Sequence, residues 1–371
     1  MTAPEDGVRS PAADRTPAGD RRAIDRVGLV VHEGKPVARA AAQRVRDWAA
    51  ARDLRCTDID VWSESDARRP AHEEAALAGN PDLVVTVGGD GTFLRGARVA
   101  AAAGALVLGV DVGRVGFLTE VEVDRLEEAL QMVVDGDVVL DARMMLTMRA
   151  SRPLALPGGM DALLRFGRGP VLPSPAVRPG TPDEDGWGVP LDVLALNDVV
   201  FEKLARDRQA SLALYVDGRL FASYSADALV VSTATGSTAY SFAAGGPVLS
   251  PDLEALVFTP VAPHMVFNRS LVLSARHRIG VLVLGRSGQV AVSVDGQLRG
   301  VLEPGDWVTV YGAAQRSELV RLDQPHFLDR VRSRFGLSDA RAAVADGEAP
   351  MVHDPMQALP PDLAHPGPTA G

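Results

Sequence analysis

The chain has 371 residues, with 38 Lys and Arg against 48 Asp and Glu, for a formal net charge of −10 at pH 7. That length implies two domains with ample core, and the acidic balance argues against a nucleic-acid surface, which is built from clustered Lys and Arg. The single cysteine, Cys56, excludes an internal disulfide framework; with no apolar run of the roughly 18 to 20 residues that span a bilayer, and no signal-peptide core, a cytoplasmic protein without a membrane partner is expected.

Residues 1–24 mix Pro, Ala, Gly and charge without an apolar period, and a disordered tail is expected there. Val27 to His32 reads as a strand. From Pro36 the apolar positions Val37, Ala41, Val45 and Trp48 recur at helical spacing, with Pro36 suited to the first turn. Arg55 to Val61 reads as a second strand, Pro70 to Ala78 as a short helix and Leu83 to Val87 as a third strand. The alternation predicts an α/β domain over residues 25–143, with a parallel sheet and crossover helices.

Leu83 to Val87 runs without a charge into Gly88-Gly89-Asp90-Gly91-Thr92, and a small-residue helical pattern follows. This reads as strand, glycine loop, helix, at the carboxyl end of a strand where such sheets bind ligands. Glycines let backbone amides approach a bulky anion closely, and the helix N-terminus adds partial positive charge. Gly88, Gly89, Gly91 and Thr92 therefore form a candidate phosphate loop, although the stretch fits neither a Walker A loop nor a GxGxxG fingerprint. Its only ionisable group is Asp90. A carboxylate beside bound phosphate either holds Mg²⁺ or takes a proton from a hydroxyl that attacks phosphorus. Both roles point to phosphoryl transfer, against the plain alternative of a tight βα turn.

Ala105 to Val110 gives a fourth strand that enters a second glycine-punctuated loop, Gly113 to Thr119, expected to line the same cleft. Phe117 there either offers an apolar face to a base or anchors the core. Asp124 to Val134 reads as a helix ending at Asp135-Gly136.

The Pro- and Gly-rich residues 151–190 read as a surface insertion, whether lid, binding loop or disordered segment. From Leu191 to about Asp323 strand follows strand, with hairpin chemistry at Asp217-Gly218 and Asp295-Gly296, so residues 144–323 are expected to form a mainly antiparallel β domain. Residues 324–337 are expected to carry a helix back to the first domain, and 338–371 to form a second disordered tail. Within the β region stand Asn197-Asp198 and the cluster Thr233-Ala234-Thr235-Gly236-Ser237-Thr238-Ala239-Tyr240. Hydroxyls, amides and one aromatic in close order suit a nucleoside. Plainer roles are an Asx turn for the pair and an N-cap from Ser237 or Thr238 for the cluster.

Taken together, GGDGTFLRGAR (Gly88 to Arg98), GRVGFLTE (Gly113 to Glu120), LNDVVFEK (Leu196 to Lys203) and the block from Asp227 to Ala255 resemble the NAD kinases over about residues 27–335. The GGDGT element is shared with phosphofructokinases and diacylglycerol kinases; the TGSTAY block and the upstream Asn-Asp pair carry the narrower likeness. The resemblance implies a phosphofructokinase-like or diacylglycerol-kinase-like α/β domain and Mg²⁺-dependent transfer of the terminal phosphate of ATP to the 2′-hydroxyl of the adenosine ribose of NAD. Asp90 would be the general base, with Gly91 and Arg95 facing phosphate. Asn197 and Thr238 would contact adenosine, Asp198 the ribose hydroxyls, and Tyr240 would stack on the dinucleotide. Asp227 would hold the nicotinamide half, with Ala239, Ser241, Phe242 and Ala243 completing that wall. Gln297 would close the pocket, from this or a neighbouring subunit, and Arg208 matches by spacing. No residue is assigned to a metal directly, Mg²⁺ arriving with ATP, and a homodimer or homotetramer is implied. The competing readings are a lipid or sugar-phosphate kinase sharing the loop and a non-catalytic dinucleotide-binding regulator.

Overall fold

Four strands form the parallel core of the first layer, in the order β2 (Arg55–Asp58), β1 (Arg26–Val31), β3 (Leu83–Gly88) and β4 (Leu106–Asp111). The computed structural model describes residues 23–32, 34–62, 70–113, 116–154, 188–204, 208–323 and 327–337. The two expected tails, apart from Ala23 and Ile24, and most of the 151–190 insertion lie outside the described residues. Crossovers are made by α1 (Pro36–Ala50), α2 (Ala71–Leu77) and α3 (Asp90–Ala103). Because side chains alternate along β3, Leu83, Val85 and Val87 pack with α1 and α4 (Leu126–Asp135), while Val84 packs with α3 on the opposite face. Gly96 brings α3 hard against β3, where a Cβ would overlap the Thr86 methyl. The sheet therefore fixes the start of α3, and with it Asp90.

Three boundaries differ from the sequence expectation. β2 stops at Asp58 rather than Val61, because Asp60 accepts the Trp62 amide at 2.9 Å and turns the chain. A 3₁₀ turn, Val123–Arg125, precedes α4, which ends at Gly136 with φ 73°. Asp90, Gly91 and Thr92 are not loop residues: Gly89 is the extended N-cap, and Asp90 opens α3, where the helix dipole favours a carboxylate.

A two-residue strand, β5 (Val121–Glu122), pairs with β4. Beyond it come β6 (Val139–Ala150), β7 (Val189–Ala195), β8 (Asp198–Lys203), β9 (Ala210–Val216), β10 (Arg219–Ala226) and β11 (Ala228–Thr233). They are followed by β12 (Ala255–Val261), β13 (Leu271–Ser274), β14 (Ile279–Val283), β15 (Val290–Val294), β16 (Gln297–Leu302) and β17 (Trp307–Arg321). An antiparallel sheet runs β13-β12-β11-β8-β15-β16. It faces β6, β9, β10, β14 and β17 across a core that includes Leu146, Phe201, Leu212, Tyr224, Leu229, Phe258, Val292 and Val310. The turns between β9 and β10 and between β15 and β16 have positive φ at both central residues, Asp217-Gly218 and Asp295-Gly296, as the hairpin chemistry predicts.

Strand β17 joins the two halves. Its first part pairs antiparallel with β14, it follows β6 along its length, and Glu318 and Leu319 run parallel to Leu106 and Val107 of β4. The parallel sheet thus continues directly into the antiparallel one. No described helix is long and apolar enough to cross a membrane.

Candidate active site

Asp90 sits in the first turn of α3, where the leading amides have no intrahelical acceptor. Its carboxylate is held by the second glycine loop: the Phe117 amide donates to Oδ2 at 3.0 Å and the Leu118 amide to Oδ1 at 3.1 Å. One loop amide on each oxygen leaves lone pairs on both for a substrate hydroxyl. Gly116 makes this approach feasible, since a Cβ there would fall on Asp90 Oδ1. Gly91, by contrast, is exposed with open space around its Cα.

The loop is fixed from behind. The Gly116 amide donates to Thr119 Oγ1 at 3.0 Å, and that hydroxyl donates to Asp111 Oδ2 at 2.9 Å. Arg321, about 1% exposed, donates to the Leu118 carbonyl at 3.0 Å, to Glu120 at 2.9 Å and to Asp141 at 3.1 Å. Asp141 is also paired with Arg143, whose Nη1 reaches Thr235 Oγ1 at 3.2 Å. Although burial works in the opposite direction, these guanidiniums hold the Asp141 carboxyl below the usual carboxylate range. A buried charged ladder therefore joins the loop beside Asp90 to the Thr235 turn on β11.

That turn forms the opposite wall. Thr233 Oγ1 donates to the Leu196 carbonyl at 2.6 Å and accepts the Gly236 amide at 2.9 Å. Gly236 lies flat on the Asn197 backbone, where a Cβ would collide. The Asn197-Asp198 bend is drawn together by Asp295, whose carboxylate accepts the amides of Leu196 and Asn197 at 2.8 Å and of Asp198 at 3.1 Å. The expected N-cap from Ser237 or Thr238 is absent, because the short helix Tyr240–Ala243 starts from Ala239 with no side-chain cap. Ser237 instead accepts the Leu249 amide at 2.9 Å, and Thr238 donates to the Thr235 carbonyl at 3.3 Å.

Burial, then the neighbouring Asp295 charge, pushes the Asp198 carboxyl up to about 7 against a contribution from the Tyr240 amide. The unfolded chain releases this proton near pH ~4. The raised value therefore adds stability that is complete below that pH and lost as pH rises through about 7. Asp198→Asn should reduce the drop in urea midpoint between pH 5 and pH 8. A drop unchanged from that of the parent protein would contradict this assignment.

The remaining sequence-predicted residues divide by placement. Phe117 is half-buried and faces a ring from the C-terminal helix, whereas Leu118 beside it enters the core. Tyr240, Phe242 and Ala243 are exposed on the second wall, and Asp227 pairs with Lys203 at 2.6 Å. Ser241 turns inward to Thr259 at 2.9 Å, so its hydroxyl serves packing between strands rather than the open wall. Arg95 donates to the Val61 carbonyl at 2.7 Å and stacks on Trp62 at 4.4 Å. Gln297 is buried within its own chain, its Oε1 taken by Arg98 at 2.5 Å and Arg299 at 3.0 Å. Arg208 is exposed next to residues outside the described set.

Sequence reasoning missed Glu120, Asp141, Arg143, Arg321 and Arg330, whose partners lie up to 214 residues away in the chain. A weak signal existed in Arg143 and Arg321, since arginines inside apolar strands need buried acceptors.

A carboxylate at a helix N-terminus with one loop amide on each oxygen, together with the hydroxyl-rich turn after β11, fits a phosphotransferase working on a nucleoside-bearing acceptor. Residues 27–138 match the family model of the ATP-NAD kinase N-terminal domain, and residues 196–322 that of the ATP-NAD kinase C-terminal domain. The chain is 60% identical over 349 residues to NAD kinase 1 of Streptomyces avermitilis, covering 93% of this chain and 98% of the relative. It is also 60% identical over 343 residues to NAD kinase 1 of Streptomyces coelicolor, covering 92% and 94% respectively. The fold matches yeast NADH kinase complexed with NADH at a TM-score of 0.66 and 19% identity, over 86% of this chain and 90% of that one. An NAD kinase from Archaeoglobus fulgidus in complex with ATP matches at 0.55 and 23%, over 84% and 96%. This chain belongs to the NAD kinase family.

Proposed function

We propose that this protein transfers the terminal phosphate of ATP to the 2′-hydroxyl of the adenosine ribose of NAD, giving NADP, with Asp90 accepting the hydroxyl proton. The observation that supports Asp90 most directly is its carboxylate at a helix N-terminus, with one loop amide on each oxygen. As the ribose oxygen attacks the γ-phosphorus in line, the bond to the β,γ-bridging oxygen breaks, ADP leaves and Asp90 takes the proton. Among the described residues no three Asp, Glu, His or Cys side chains converge into a metal cage. We expect Mg²⁺ to arrive with ATP, where it would neutralise developing phosphate charge. We assign Asn197 and Thr238 to the adenosine half, Asp198 to ribose hydroxyls, Tyr240 to stacking and Asp227 to the nicotinamide half. Family membership also leads us to expect a homodimer or homotetramer and a cytoplasmic location.

A coupled assay offering NAD, NADH, a diacylglycerol and a sugar phosphate as acceptors, with Mg-ATP or polyphosphate as donor, tests the class. Phosphorylation of NAD at a far higher kcat/KM than the lipid or sugar is expected. Tight NAD binding without product would support the regulator instead.

Gly116→Ala should push the Asp90 carboxylate off its two amides, because the new methyl lands on Oδ1. A misplacement on the order of 1 Å in such a group lowers turnover on the order of 10²-fold. Steady-state kinetics alongside a melting curve check this; near-normal kcat would show that the loop contact is dispensable.

A further inference from the structure

The C-terminal helix, Phe327–Phe335, has no fully buried residue, and its half-buried side chains, Phe327, Arg330, Val331 and Phe335, lie on one face. Two side chains place it on the site. Arg330 Nη1 donates to the carbonyls of Gly116 at 3.5 Å, Phe117 at 3.3 Å and Thr119 at 2.7 Å, and Nη2 pairs with Glu120. With Arg321 on the Leu118 carbonyl, four consecutive carbonyls of the loop face two guanidiniums. The amides of Phe117 and Leu118 then point the other way, at Asp90. Polarising a peptide through its carbonyl strengthens its N–H as a donor. The second side chain, Phe335, lies 4.6 Å from the Phe242 ring and 5.9 Å from the Phe117 ring, centroid to centroid. Both distances fall in the favourable range for aromatic pairs. Phe335 therefore spans the two walls, touching the loop beside Asp90 on one side and the helix after Tyr240 on the other.

We propose that this helix is a working part of the site, with Arg330 as a positioning residue for the Gly116–Glu120 loop and Phe335 as the third ring of an aromatic wall for the dinucleotide. The ladder supports this assignment. Arg143, Arg321 and Arg330 are matched by Glu120, Asp141 and Asp111, so the guanidiniums behind the loop are held in place by carboxylates on both sides of it.

The inference rests on the reading above, and one experiment separates the two. Steady-state kinetics with NAD and Mg-ATP are measured on the full-length chain and on Arg330→Ala, Arg330→Lys and Phe335→Ala, with melting curves for each. Failure of the unsubstituted protein to form NADP would sink the functional reading itself. If it is active, Arg330→Ala should lose at least tenfold in kcat with KM for NAD within threefold, and Arg330→Lys should recover only part of the loss. Millimolar guanidinium should restore several-fold of the kcat of Arg330→Ala, a rescue that a merely structural role would not allow. Phe335→Ala should raise KM for NAD at least fivefold with kcat within twofold. The proposal is overturned by near-normal constants in both alanine variants, by losses that follow melting temperature without guanidinium rescue, or by a fall in KM for Phe335→Ala, which would mean the ring occupies the place of the base.

Discussion

Asp90→Asn should fold with a melting temperature close to that of the parent protein and form NADP about 10² to 10⁴-fold more slowly, the range a general base contributes. The fold should survive because an asparagine oxygen can still accept one of the two loop amides, at a position partly open to solvent. What the amide cannot do is take a proton from the attacking hydroxyl. Its NH₂ group would also face the amide hydrogen of Phe117 or Leu118, so the loop should relax slightly. A kcat within a few-fold of the parent value would remove Asp90 from its assigned role, and a large fall in melting temperature would assign the loss to folding.

The second large effect concerns stability. Arg98 and Glu74 form an ion pair at 2.6 Å with side chains 5% and 6% exposed, tying α3 to α2. Arg98 also reaches Gln297 at the start of β16, so one guanidinium fastens the helix carrying Asp90 to the antiparallel sheet. Arg98→Ala leaves a buried carboxylate without its main partner, and the expected cost is about 3 to 5 kcal/mol in urea unfolding. The paired replacement Arg98→Met with Glu74→Leu should recover most of that, because the apolar pair has similar volume and no charge to desolvate. Gln297 would keep its bond from Arg299 at 3.0 Å. If the double variant were as unstable as the single, the cost would lie in packing rather than in the orphaned charge.

Much of the first domain was legible because its signals are local. An uncharged strand, glycines and a small-residue helix follow one another between Leu83 and Gly104, and each element has its own period or breaker. The Asp217-Gly218 and Asp295-Gly296 turns were equally readable, since positive φ at both central residues selects those dipeptides. The start of α3 was placed too late, because glycines beside an aspartate read as loop although a helix N-terminus tolerates both. In the site, Asp90, Asn197, Asp198 and Tyr240 stood out as local clusters. Asp295 showed only as a turn residue, although its carboxylate gathers three amides from residues about a hundred positions away. The ladder from Arg143 to Arg330 was invisible for the same reason: apart from the Arg143–Asp141 pair on one strand, its links join segments far apart in the chain that β17 and the C-terminal helix bring together. Ser241 illustrates the reverse case, where a residue inside a binding-type cluster turns its hydroxyl to a neighbouring strand.

The central claim is that Asp90 on one wall meets a ribose hydroxyl presented by the other. Its most direct test is the position of the phosphate in the product, determined by phosphorus NMR and by a dehydrogenase that accepts only the 2′-phosphorylated dinucleotide. All product from NAD and Mg-ATP should carry the phosphate at the adenosine 2′-oxygen, and the 2′-deoxy analogue should not be phosphorylated. Phosphate at the 3′-oxygen, or turnover of the 2′-deoxy analogue, would contradict it.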